Sequence, residues 1–101
     1  GVKRGYEPNP KHEGWTEPTN PLDSMKDSLE IPGQSSRRIS VDPKAGEYVV
    51  FDEDRPGIFH GHTRPWNDDS DRGIAGMRDS WKRMLAKEGL VKYRTGKIIG
   101  R

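Results

Sequence analysis

Hydrophobic positions along the chain come in clusters whose spacing changes from one stretch to the next. Residues 1–20 show neither a period of 2 nor one of 3.6. They are rich in Pro, Gly, Asn and Lys, with Tyr6 and Trp15 as large apolar anchors, which predicts an extended arm. Asn20 followed by Pro21 offers a capping residue and a proline at the first helical position. Leu22, Met25 and Leu29 then recur at helical spacing, predicting a short helix over 21–29 that stops before Pro32-Gly33. Residues 34–36 read as a loop. Ile39 and Val41 alternate with polar neighbours over 37–41, residues 42–46 form a turn cluster, and 47–51 are β-branched and aromatic, so a β-hairpin is expected.

An acidic turn over 52–57 leads to a third strand at 58–62, ended or held at an edge by Pro65. After a polar loop at 67–72, Ile74, Met77, Trp81, Met84 and Leu85 recur every three or four residues. They predict an amphipathic helix of about 14 residues with Gly89 as its stop. Residues 90–93 and 97–99 flank a turn at Thr95-Gly96 and suit one or two short strands. The order is arm, helix, three strands, helix, strand. That is an α+β fold with a small antiparallel sheet, an N-terminal helix and a basic amphipathic C-terminal helix. It divides into an arm at 1–20 and one domain at 21–101.

Composition sharpens this picture. A chain of 101 residues has room for one modest core, and Leu, Ile, Val and Phe supply only 17 of them. With a net charge of +2, that poverty does not amount to the signature of disorder. The lack of cysteine excludes disulfides, thiolate nucleophiles and cysteine-bound zinc. No apolar run is long enough to span a membrane and no signal peptide opens the chain, which reads as a piece of something longer. Charge is uneven: residues 1–40 balance six Lys/Arg against six Asp/Glu, 41–70 carry three against seven, and 71–101 carry nine against three. A basic end on a nearly neutral chain suits phosphate, and equally suits a solvated helix balancing the acidic middle.

Candidate chemistry concentrates at Phe59-His60-Gly61-His62-Thr63-Arg64. In a strand, alternate residues share a face about 6.5–7 Å apart, so His60, His62 and Arg64 project together while Phe59 turns to the core. Gly61 leaves the backbone open to a substrate. Two imidazoles can split the roles of base and acid, and a guanidinium can hold phosphate oxygens. This is a metal-free set for RNA, whose own 2′-hydroxyl is the nucleophile. The plainer readings are polar residues on an exposed strand, or a His-x-His metal pair completed by Asp52, Asp54, Asp68 or Asp69. Arg37 or Arg38 should share the histidine face. Lys3, Arg4 and Lys11 lie on the arm, where folding over the site would add positive charge. Lys82, Arg83 and Lys87 give the C-terminal helix its basic side. Tyr48 and Trp66 are candidates for base stacking or for the core, whereas Trp81 reads as core. Phosphate-cradling glycine loops, nucleophile elbows and HExxH motifs are absent.

The stretch 37–51, together with Gly57-Ile58-Phe59-His60-Gly61-His62-Thr63-Arg64-Pro65-Trp66 and the closing Leu85-Ala86-Lys87-Glu88-Gly89-Leu90-Val91, resembles C-terminal toxin domains of bacterial polymorphic and contact-dependent growth inhibition systems. The likeness is to ribonuclease toxins of the barnase, colicin D and RelE-like fold class and spans roughly residues 37–99. It implies a metal-independent endoribonuclease without a cofactor, directed at transfer RNA and carrying His60, His62 and Arg64 as its catalytic group. Support would come from Arg38 or a lysine. It also implies delivery as part of a larger secreted or surface protein, action in the target cell's cytoplasm, and a cognate immunity protein. The positive charge of the candidate site makes an acidic one the expected complement, anchored on residues such as Arg64 and Trp66. The rival functions are a non-catalytic RNA- or protein-binding module and a metal-dependent DNase using His60 and His62.

Overall fold

The computed structural model describes residues 4–9 and 15–101. In chain order the elements are β1 (Gly5–Tyr6), α1 (Pro21–Lys26), β2 (Leu29–Ile31), β3 (Gln34–Asp42), β4 (Glu47–Arg55), β5 (Ile58–Arg64) and α2 (Asp79–Lys87). They form a five-stranded sheet in the order β1-β5-β4-β3-β2, antiparallel throughout except that β1 runs parallel to β5. The expected α+β architecture holds.

Its details differ from the sequence reading where tertiary contacts outweigh local pattern. Helix α1 ends at Lys26 because Ser28 turns back, its hydroxyl and its N–H both donating to the Met25 carbonyl. Leu29, expected in the helix, opens β2 and pairs with Ile39. Residues 34–36, expected as a loop, begin β3, and the acidic stretch 52–55 continues β4 beside β5. Helix α2 is shorter than its apolar period suggests. Asp69 and Ile74 exchange two backbone hydrogen bonds, Gly76 N–H donates to Asp68, and Met77 N–H donates to the Pro65 carbonyl, so this segment is already committed before the helix can start. At the other end the expectation holds. Gly89 takes φ +76°, and the N–H groups of Gly89 and Leu90 donate to Ala86 and Leu85, closing the helix as a Schellman turn. The last segment contributes one bridge, Val91 to Ile98.

The central strands are covered on both faces, which is why Val49, Val50 and Phe51 run together without a polar break. Ile39, Val41 and Val50 pack beneath Trp81 and Leu85 of α2, with Trp66, Met77 and Val91 at the margins. On the opposite face Val49, Phe51 and Phe59 meet Met25 of α1. The arm runs beside β5 rather than hanging free of it. Glu7 N–H donates to the Phe59 carbonyl, the Asn9 amide to the Gly61 carbonyl at 2.6 Å, and Thr63 N–H to the Thr16 carbonyl at 2.9 Å. Among the described residues, no helix is long and apolar enough to cross a membrane.

Candidate functional site

Strand register decides which side chains meet. Tyr48 pairs with Arg64, Val50 with His62, and Asp52 with both His60 and Arg37. Arg37, Asp52, His60, His62 and Arg64 therefore share the face that α2 covers, as period 2 predicts for the histidines and Arg64. Phe59 faces the other way into the second core cluster. Arg38 also lies on that opposite face, where its guanidinium donates to the Ser28 hydroxyl and carbonyl, both at 2.7 Å. Of the two neighbouring arginines, Arg37 is the one beside the histidines.

The face is not open. His62 is 3% exposed. Trp15 of the arm stacks on its ring at 4.3 Å between centroids and 19° between planes. The Arg64 Nε–H donates to His62 Nε2 at 3.2 Å. Burial first, then the positive charges of Arg64 and Arg37, push the imidazole down to about 4, so at neutral pH it is an uncharged ring with an unprotonated Nε2. His60 has the opposite surroundings. Its Nδ1–H donates to the Glu7 carbonyl at 2.8 Å and its Nε2 lies 3.4 Å from Asp54. The hydrogen bond to Glu7 raises its pKa, overcoming partial burial with help from Asp54.

Positive charge gathers around Trp81. The guanidinium carbons of Arg37, Arg64 and Arg78 lie 5.5, 5.0 and 4.9 Å from its ring. Burial, then repulsion from Arg37 and Arg78, lowers the pKa of Arg64. Three guanidiniums gather at one indole beside a neutral imidazole and suit an anion: Arg37 is paired with Asp52 at 2.6 Å, while the repulsion Arg64 feels from Arg37 and Arg78 outweighs the pull of Asp52 and Asp68. A cleft of about 230 Å³ opens beside Arg64, lined by Trp15, His62, Thr63 and Arg64 on one side and residues 72–75 on the other. A second cleft of about 250 Å³ adjoins it through Thr63, Arg64, Arg72 and Ile74 and reaches Thr16 and Tyr48.

The remaining sequence candidates lie elsewhere or serve the frame. Trp66 is 8% exposed, tilted against Tyr48 at 5.1 Å, and Tyr48 donates to the Gly96 carbonyl. Lys82 donates to Asn67 at 2.9 Å and lies over Trp66. Arg83 is paired with Asp79 at 2.8 Å, and Lys87 is exposed. Lys3 and Lys11 fall outside the described residues. Gly61 is close-packed by the protein itself: a Cβ there would meet the Phe51 ring at 2.9 Å and Pro18 at 3.1 Å, so its smallness admits the arm and not a substrate. The acidic loop after β5 spends its charge internally, with Asp69 on Arg72 at 2.6 Å and Asp68 on the Gly76 amide.

Two site residues escaped the sequence. Arg78 is the N-cap of α2, and its place three residues before Trp81 was a signal available once the helix start was known. Trp15 sits in a stretch with no period at all. Among the described residues, no three His, Asp or Glu side chains converge as a metal site.

No family profile and no curated protein matches the chain. Among solved structures, it is similar to a chain of a CDI complex from Cupriavidus taiwanensis LMG 19424. The sequences are 35% identical and the TM-score is 0.63, over 81% of this chain and 99% of that one.

Proposed function

This chain belongs to the contact-dependent growth inhibition family of that Cupriavidus protein, and from this premise we propose that it is the toxin of a toxin–immunity pair, an endoribonuclease that cleaves RNA without a metal. The observation that carries the reading is the neutral His62 beside Arg64 and Arg37, with Arg78 joining those two guanidiniums at the Trp81 ring. A site that binds an anion through three guanidiniums and keeps an unprotonated imidazole beside it matches a phosphodiester next to a hydroxyl.

In this reading the phosphate draws the Arg64 guanidinium away from His62, leaving Nε2 free to take the proton of the 2′-hydroxyl. The 2′-oxygen attacks phosphorus while the bond from phosphorus to the 5′-oxygen breaks. Arg64, Arg78 and Arg37 stabilise the charge that builds on the non-bridging oxygens. His60, whose hold on a proton is strengthened by the Glu7 carbonyl and by Asp54, gives its Nε2 proton to the departing 5′-oxygen, leaving Asp54 as it does so. The products are a 2′,3′-cyclic phosphate and a free 5′-hydroxyl. Transfer RNA is the substrate class expected, and the partner in the producing cell is an acidic immunity protein whose carboxylates replace the phosphate on the same arginines. Delivery between cells belongs to the same reading.

Incubating the purified protein with total RNA and with DNA, each with and without chelator, tests it. RNA cut equally well in chelator, with cyclic-phosphate ends, is the expected result. No cleavage, or cutting of DNA that requires metal, would overturn it.

A further inference from the structure

The arm supplies a side chain to the site that the reaction above does not use. Trp15 is 46% exposed, an unusual position for an indole, and lies nearly parallel to the His62 ring at 4.3 Å. Its neighbour is fixed in place. Thr16 accepts the Thr63 N–H, Glu17 accepts from Tyr6 and from the Asn9 N–H, and Thr19 donates to Glu47 at 2.8 Å, so the stretch is tied to β1 and β4 as well as β5. Trp15 also forms one wall of the cleft that exposes Arg64.

We propose that Trp15 is a positioning residue for His62, its indole holding the imidazole in the plane that presents Nε2 to the cleft and keeping water off the ring. The proposal rests on the reading of His62 as the base. The groups facing that imidazole are Arg64 on β5, Asp52 on β4, Arg37 on β3 and Glu17 on the arm, with Arg78 at the head of α2 beside Trp81. Shortening Trp15 removes none of these charged side chains, and Trp15→Phe controls for any change in how the arm, with Glu17, docks. A stacked arm residue makes the strength of the base depend on the docking of a segment outside the sheet.

The test is the titration of His62 followed by imidazole proton resonances in the intact protein, for wild type, Trp15→Ala and Trp15→Phe. Wild type should titrate near 4, as its burial dictates. Trp15→Ala should move His62 upward by about one unit or more toward the ordinary value of about 6.5. Trp15→Phe, which restores a flat ring, should return it most of the way. The acid limb of kcat/KM for RNA cleavage should move in parallel. An unchanged titration in Trp15→Ala would overturn the proposal, as would a shift in Trp15→Phe equal to that in Trp15→Ala, because arm docking and not the stacked ring would then be responsible. The resonance measurement needs no turnover, so a protein that fails to cut RNA defeats the ribonuclease reading and leaves this test intact.

Discussion

His60 and His62 stand two residues apart on one strand, point to one face, and live at opposite electrostatic ends of it. The His60 end is acidic, with a carbonyl and a carboxylate taking its two ring nitrogens. The His62 end is basic and dry, with an indole above and guanidiniums around. The difference arises from cross-strand and arm neighbours, since the two residues share backbone conformation and strand. One pKa is raised and the other lowered, and in the proposed reaction that separation is what divides the pair into an acid and a base.

The largest effect should come from removing the base. His62→Gln should lower RNA cleavage by about 10²–10⁴-fold and erase the acid limb of the pH–rate profile, while His60→Gln should erase the alkaline limb that lies above the ordinary histidine value. Rates measured from pH 3.5 to 9 on the three proteins check this. A single variant that loses both limbs would dissolve the distinction between the two ends.

Stability should separate the histidines next, and with opposite signs. The native His62 refuses a proton that the unfolded chain accepts below about 6.5, so stability falls as pH drops from 6.5 toward 4, by about 3 kcal/mol in all. His60 binds its proton more tightly when folded. Its contribution is complete below the unfolded value and is lost as pH rises through the raised one. Urea melts across this range should show the acid loss vanish in His62→Gln and the loss toward alkaline pH vanish in His60→Gln.

The smallest effect concerns charge outside the cleft. Reversing Lys82, Arg83 and Lys87 to Glu should weaken binding of all RNAs alike and reduce the dependence of affinity on salt, with the cleavage rate at saturation little changed. Lys82 and Arg83 already have partners in Asn67 and Asp79, so the slope should fall by less than three full contacts would give. Fluorescence anisotropy at several salt concentrations measures it, and an unchanged slope would confine RNA attraction to the three arginines around Trp81.

Much of the frame was legible because it depends on local periodicity. Alternation placed His60, His62 and Arg64 together and Phe59 behind them, and the apolar spacing of 81, 84 and 85 with Gly89 located α2 and its end. Leu29 and residues 74–77 misled for one reason: their spacing fitted a helix, but hydrogen bonds to backbone outside that helix held them otherwise.

What the sequence alone determined was the set of faces: which residues lie on which side of each strand and helix, since that follows from backbone geometry. Only the tertiary structure decided what each face meets. The register of β3 against β4 chose Arg37 over Arg38, the docking of α2 brought Arg78 to Trp81, and the path of the arm laid Trp15 on His62. Those contacts join residues far apart in the chain. Their charge and burial, which set the two histidines apart, exist only once the sheet, the helix and the arm have closed on one another.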